Sequence, residues 1–567
     1  MAKKKQPAAP GEKPRQNTPL LFLLLILLPL YGGYYLFSSL AAGAVLSLLL
    51  LHAVWRDGAL RLPTGPEAWC LYALWACTLL AVPFAVSPGM AFAGFLRLTV
   101  WALFFLYAAT YTPRERREIL DAVAYEGALL SLITIVGFLY DGFAGIEDAN
   151  GRIDGFFQYA NTWSLFLLVC LILLAMKEER RRLDWPAMAL LLCGVYLSGS
   201  RGVFLLLLPL ALAWAVHRLI RGRDVKTVAI AAGVLLLTGG AAVLLSGGLV
   251  LDRLRAITLS SSSLNGRLLY YIDGLRMLLR HPLGLGRGGY LYLQPLEQTG
   301  VYTLRYIHNE YLQAALDGGI PAGLCMAGLC GCLFFRKGAA PRERAVVFAI
   351  AAHSLIDFDL QFTAVAFLLL LCGSGGRCRK IPLGRRRLSA ALSGVCALAF
   401  GYFALTYYLD FSGRTAAAYA LYPADLSLAE NRLQSFPDVA GAEPVADAIL
   451  ASTDLSLLAW DCKVAACAQR GDVAGMVESK YQYLRLSRYR GEVYQEFTDL
   501  LENACVQGSE TELVRYQPLA QAVITQLEEV NQTTSPLAYR IVDKPELDFS
   551  PQIRGRLNQI IERIDTQ

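Results

Sequence analysis

The chain has 567 residues, is 55% hydrophobic, carries a formal net charge of +6 and has a mean hydropathy of +0.42. Water-soluble proteins of this length rarely reach those values, and disordered chains never do, so both classes are excluded. Apolar runs recur from Leu20 to Leu409 at about the 15–25 residues needed to cross ~30 Å of hydrocarbon, and a polar tail follows.

In chain order, the apolar runs predict spans near residues 20–38, 40–54, 67–86, 91–111, 117–140, 161–176, 185–198, 203–217, 227–250, 311–335, 343–356, 361–373 and 388–408. The first follows a basic segment (Lys3, Lys4, Lys5, Lys13, Arg15) and looks like a signal peptide. No small-residue cleavage site stands out, so it is read as a retained helix after a cytoplasmic basic tail, residues 1–19. The expectation is an all-α polytopic membrane protein of about 13 transmembrane helices over residues 20–411. The 13 cysteines show no metal-type pairing and no disulfide framework.

Charge sorts the loops. Arg56/Arg61, Arg114/Arg116/Arg117, Lys177/Arg180/Arg181/Arg182, Arg218/Arg221/Arg223/Lys226, Arg336/Lys337/Arg342/Arg344 and the run Arg377–Arg387 fall on one face. The turns at Ser38–Ser39, Ser87–Gly89 and Asp357–Gln361 carry no Lys or Arg and fall on the other. Because cations are held back on the cytoplasmic side, the N-terminus is expected inside and the C-terminus outside.

Four stretches on the expected outer face break the charge rule or carry unusual chemistry. Gly151–Thr162 is rich in Gly, aromatic and amide residues; Arg152 can pair with a phosphate and Asn161 can cap the next helix, or the aromatics simply sit in the interfacial belt. Ser198-Gly199-Ser200-Arg201-Gly202 is a tight turn whose arginine either binds an anion or snorkels to headgroups. An arginine-studded outer loop, about 252–310, holds Asn265-Gly266-Arg267, where Asn265 or Gly266 is expected to cap a helix with Arg267 in its first turn. Its Gly-rich run His281–Tyr290 lacks the ending of a P-loop. Finally, His308-Asn309-Glu310-Tyr311 puts a histidine, the side chain suited to moving protons near neutral pH, at the mouth of a membrane helix. Asp357-x-Asp359 is either a metal-binding pair or a set of interfacial caps, and His353 is placed to pair with Asp357 four residues on.

The tail, residues 412–567, holds 22 Asp and Glu against 14 Lys and Arg. Apolar residues at helical spacing predict helices over 444–451, 456–469, 473–486, 492–505, 510–529 and 551–564. The pair flanking Arg470-Gly471-Asp472 looks like one tetratricopeptide-type unit, without a repeat at fixed period. An extracytoplasmic helical domain that binds acceptor or protein partners is expected.

Together and in this order, the four stretches resemble the O-antigen ligase / O-antigen polymerase superfamily, which includes lipopolysaccharide O-antigen ligases, Wzy-type polymerases and bacterial O-oligosaccharyltransferases. The resemblance spans about residues 20–410 and is most specific at His308-Asn309, nine residues, then Gly319; Ala322 stands where the family usually has glycine. It implies a metal-independent membrane glycosyltransferase of the GT-C type, without cofactor. Its donor would be a glycan on a polyprenyl (undecaprenyl) pyrophosphate. The acceptor would be a glycan, lipid or protein hydroxyl, with membrane lipids around the enzyme and no nucleic-acid partner. Carried onto this chain, Arg201 and Arg267 would hold the pyrophosphate and His308 would activate the acceptor. Arg152, Asn161, Arg305, Asn309 and Tyr311 would contact substrate. Two other classes stay open: a transporter or flippase of lipid-linked sugars, which would need the arginines but not His308, and a non-catalytic scaffold.

Overall fold

The computed structural model describes residues 18–140, 147–148, 150–177, 179–222, 224–255, 257–258, 261–382, 386–507 and 510–566. The basic N-terminal segment, Arg223 and part of the 377–387 run lie outside these residues. The first half is helical: α1 (Thr18–Leu27), α2 (Leu36–Asp57), α3 (Pro66–Ala81), α4 (Pro88–Ala108), α5 (Pro113–Tyr140), α6 (Ala160–Ala175), α7 (Asp184–Ser198), α8 (Arg201–Gly222) and α9 (Val225–Leu245). The expected outer loop holds three helices, α10 (Leu249–Arg255), α11 (Ser262–Arg280) and α12 (Gly289–Glu297), α11 being the expected helix that carries Arg267. Then come α13 (Glu310–Gly318), α14 (Ile320–Phe334), α15 (Pro341–His353), α16 (Thr363–Gly373) and α17 (Arg386–Phe411).

Seven of these helices are long and apolar enough to cross a membrane, and four more, 160–175, 184–198, 320–334 and 363–373, are apolar but shorter. Helices α6 and α16 are apolar on every side and accordingly buried throughout nearly their whole length, at the centre of the bundle. Phe367 of α16 stacks on Phe104 of α4 at 3.9 Å. Around this centre α2 packs on α17 and α4, α3 on α14, and α5 and α7 on α6.

The basic loops gather at one end of the bundle. Arg342 donates to Asp121 at 2.8 Å, Lys177 reaches Asp121 and Asp184, and Arg336 donates to the Cys372 carbonyl. At the same end β1 (Ala59–Pro63) pairs antiparallel with β2 (Cys378–Pro382), Arg61 opposite Lys380. This small ribbon was not anticipated in an all-α chain. It arises where two polar linkers leave the bundle side by side.

Two span boundaries are corrected. Ser38 and Ser39 do not form a turn; they are buried inside α2, where Ser39 donates to the Gly33 carbonyl at 2.7 Å. The chain reverses earlier, between Leu28 and Tyr35, where Pro29 ends α1 and Tyr31, Gly32 and Gly33 adopt positive φ. The expected span 311–335 is two helices, broken at Gly319 with φ 85° and ψ 168°, a region open essentially to glycine alone. A Cβ at Gly319 would also sit 2.8 Å from the Pro282 carbonyl oxygen. Gly319→Ala is therefore expected to destabilise the protein by about 1–3 kcal/mol, read as a lowered thermal midpoint in detergent; an unchanged midpoint would refute this account of the break.

The tail folds as α18 (Thr415–Leu421), α19 (Leu426–Gln434), α20 (Val439–Ser452), α21 (Leu457–Arg470), α22 (Val473–Arg485), α23 (Gly491–Gln507), α24 (Glu510–Thr533) and α25 (Ser550–Asp565). The helix–turn–helix of α21 and α22 is present, but α25 folds back on α23 and α24 instead of extending a stack of such pairs. The tail is docked on the bundle end opposite the basic loops. Ala424 lies so close to Gly89 that a Cβ there would stand 2.0 Å from the Ala424 oxygen. Tyr292 donates to Glu430 at 2.6 Å, and Ala538 and Ile541 pack with Leu269 and Tyr302.

Candidate functional site

At the end of the bundle away from the basic loops, three segments distant in sequence, around Tyr159, Arg267 and His308, converge on Asp357, in the turn between α15 and α16. Tyr159 donates to its Oδ1 at 2.8 Å and Asn161 to its Oδ2 at 2.7 Å. Arg267 stands 3.5 Å from Oδ2, and the Phe358 amide donates at 3.0 Å. Burial opposes ionisation of Asp357, but the neighbouring His308, His353 and Arg267 and the Tyr159 hydrogen bond outweigh it and hold the carboxyl below its usual range.

Arginines surround this hub. Arg152 donates from Nε to the Ser198 carbonyl at 2.8 Å and from Nη2 to Asn161 Oδ1 at 2.7 Å, so Asn161 links Arg152 to Asp357. Arg201 donates to Ser263 Oγ at 2.7 Å, tying α8 to the first turn of α11. Arg253 of α10 lies against the turn at Gly199, with Cγ 3.4 Å from where a Cβ would stand. It is close enough to repel both Arg152 and Arg201, and Arg267 also repels Arg201. Burial and the Arg253 charge depress the Arg152 guanidinium, against Asp148 at 3.5 Å. Two buried polar atoms here, Arg267 Nε and Ser200 Oγ, have no hydrogen-bond partner among the described residues. Four guanidinium groups facing so few carboxylates create a positive potential that a multiply charged anion would neutralise.

His308 closes the site. Its backbone has φ 57°, a left-handed conformation uncommon for a non-glycine residue and frequent at functional positions. Nδ1 is 3.0 Å from the Tyr306 carbonyl oxygen. A carbonyl only accepts, so this contact places a proton on Nδ1 and makes Nε2 the acceptor of the neutral ring. The ring meets Phe358 edge-on at 5.1 Å, and Tyr271 donates to the His308 carbonyl at 2.6 Å. The helix carrying Arg267 is fixed from behind: Asp273 accepts from the Thr299 amide, the Thr299 hydroxyl and Tyr302.

The structure thus brings together Arg152, Asn161, Arg201, Arg267 and His308. It uses three other expected contacts differently. Asn309 caps α13, its Oδ1 accepting from the Tyr311 and Leu312 amides, and Tyr311 donates to the Ala351 carbonyl at 2.8 Å. Arg305 lies over the rings of Tyr34 and Tyr306, outside the cluster around Asp357. Asn161 does not cap α6; Tyr159 holds that position and the Asn161 side chain is a bridge. Neither Asn265 nor Gly266 caps α11, which starts at Ser262, so Arg267 lies in its second turn. His353 pairs with Asp359 at 2.7 Å rather than with Asp357, and Thr162 donates to the other Asp359 oxygen. The two aspartates therefore hold different partners, and among the described residues no group of three metal-ligating side chains comes together.

Three residues of the site were not singled out from the sequence: Arg253, Tyr159 and Asp357 as a hub. Arg97 is a second outlier, a buried arginine inside α4 that donates to Gln361 at 3.3 Å, which in turn donates to Glu310 at 3.0 Å.

Residues 186–327, about a quarter of the chain, match the family model described as O-Antigen ligase. The segment runs from α7 to α14 and includes Arg201, Arg253, Arg267 and His308. No curated protein and no solved structure matches the chain significantly.

Proposed function

From the O-antigen ligase segment as premise, we propose that this membrane protein is a glycosyltransferase of the GT-C type. It takes a glycan from a polyprenyl-pyrophosphate donor and places it on an acceptor hydroxyl at the outer face of the cytoplasmic membrane. The observation that carries the reading is the convergence of Arg152, Arg201, Arg253 and Arg267 beside a histidine whose Nδ1 is held by the Tyr306 carbonyl. The sorting of basic loops to the opposite end supports a site outside and an N-terminus inside.

In the proposed step the polyprenyl tail stays in lipid and its pyrophosphate lies among the guanidinium groups. His308 Nε2 takes the proton of the acceptor hydroxyl as its oxygen attacks the anomeric carbon. The bond from that carbon to the pyrophosphate oxygen breaks, and the electron pair leaves with polyprenyl pyrophosphate. Charge grows on the leaving oxygen during this step, and fixed guanidiniums placed beforehand stabilise it most at the transition state. Asp357 holds Arg267 and, through Asn161, Arg152 in register. The reading needs no metal, since arginine supplies the positive charge. The tail, docked on α11 and α12, is placed to present an acceptor or partner protein.

The test is transfer of radiolabelled glycan from a polyprenyl-pyrophosphate oligosaccharide in membranes holding the full chain, with and without EDTA. Labelled product in both conditions is expected, and its identity names the acceptor. Absence of any product with an active donor would remove the transferase reading in favour of transport or scaffolding.

A further inference from the structure

At the far end of the same helices lies a second, unassigned feature. A cavity of about 560 Å³ opens between α6, α7, α8 and α9, walled by side chains such as Leu171, Met188, Leu192, Leu207 and Leu235. It runs into a basic pocket of about 810 Å³, sharing Met176, Arg180, Trp214 and His217 with it. Among the described residues seven Lys or Arg side chains line that pocket, against Asp121 and Glu179, and Glu118, Asp184 and Asp224 pair with Arg114, Lys177 and Arg218 from behind it, which leaves cations in excess. Arg180 sits at the junction. Its guanidinium lies over Trp185 at 5.1 Å and Trp214 at 5.4 Å. One nitrogen donates to the Ala175 carbonyl, while Nε and Nη1 are shielded from solvent without a hydrogen-bond partner among the described residues. Buried donors left unpaired are costly, and a multiply charged oxyanion would satisfy both.

We propose that this is a binding site for an anionic phospholipid, with its phosphate in the basic pocket and an acyl chain between α6, α7, α8 and α9. The charge excess selects an anionic over a zwitterionic headgroup. A lipid fits better than a soluble anion because the cavity continues onto the apolar outer faces of α8 and α9, where Leu208, Leu212, Leu236 and Leu237 are exposed. The site is remote from the arginine cluster around Asp357: α6 and α7 each carry one site at either end, about 24 Å apart at the rise of an α-helix.

The full chain is purified from vesicles holding phosphatidylglycerol and phosphatidylcholine in equal amounts, and retained lipid is counted by native mass spectrometry. Wild type is expected to keep phosphatidylglycerol in preference. Arg180→Gln with Arg218→Gln should weaken retention on the order of 25-fold, about fivefold per cation removed. Ala232→Trp, which fills the apolar cavity and leaves every charge in place, should also release the lipid and keeps the test informative if the arginine variant does not fold. Equal retention of both lipids by wild type, or an unchanged preference in a folded variant, would overturn the proposal.

Discussion

Replacing His308 by asparagine is expected to lower glycan transfer by roughly 100- to 10,000-fold, the usual contribution of a positioned acid–base side chain. Asparagine is the informative substitution because the backbone here has φ 57°. Asparagine tolerates the left-handed region, whereas alanine adds strain that could be mistaken for lost chemistry. The ring is only half-buried, so its removal should not disturb the bundle. His308→Asn is therefore expected to keep the wild-type thermal midpoint and to bind donor normally. The measurement is single-turnover transfer in membranes beside a melting curve of the purified protein. A folded His308→Asn protein retaining more than about a tenth of wild-type transfer would show that the histidine does not take the proton.

The second large effect is expected at Arg267. Its removal should cost about 100- to 1,000-fold in turnover, as for a preorganised donor aimed at developing charge. The size follows from its placement. Arg267 is 3.5 Å from the buried carboxylate of Asp357, and its buried Nε has no partner among the described residues. An arginine aimed at the leaving pyrophosphate acts mainly on kcat, while one that only anchors substrate acts on KM. Arg267→Ala is thus expected to depress kcat more than it raises KM. Arg267→Lys should recover part of the loss, since it restores the charge but not the planar fork. A pure KM effect in both variants would reduce Arg267 to an anchor and shift the catalytic role toward Arg201 or Arg253.

The elements that could be read in advance share a local signature. An apolar run long enough for hydrocarbon is a property of about twenty consecutive residues, and most helix positions followed from it. Arg152, Arg201, Arg267 and His308 stood out for the same reason: each is a polar exception in a short stretch beside an apolar run. Asn309 and Tyr311 adjoin His308 in sequence, but their hydrogen bonds run to other partners than the cluster around Asp357. A cap consumes the Asn309 oxygen, and Tyr311 is turned toward Ala351. Asp357 stands out in the sequence only as a possible metal ligand or cap, since an acidic residue in a short interfacial turn looks the same whether it caps a helix or organises a site. Its partners lie up to 198 residues away.

Hydropathy by itself determined that this chain lives in a membrane and where most of its apolar helices lie. These are decided residue by residue through transfer free energy, which depends little on the rest of the fold. Which polar side chains meet was decided only by tertiary packing. The burial of α6 and α16 at the centre, and the folding of α11 over the end of the bundle, put Tyr159, Asn161 and Arg267 around one carboxylate. A hydrogen bond needs its partner within about 3 Å, and that distance depends on how the helices cross, which no window of sequence contains.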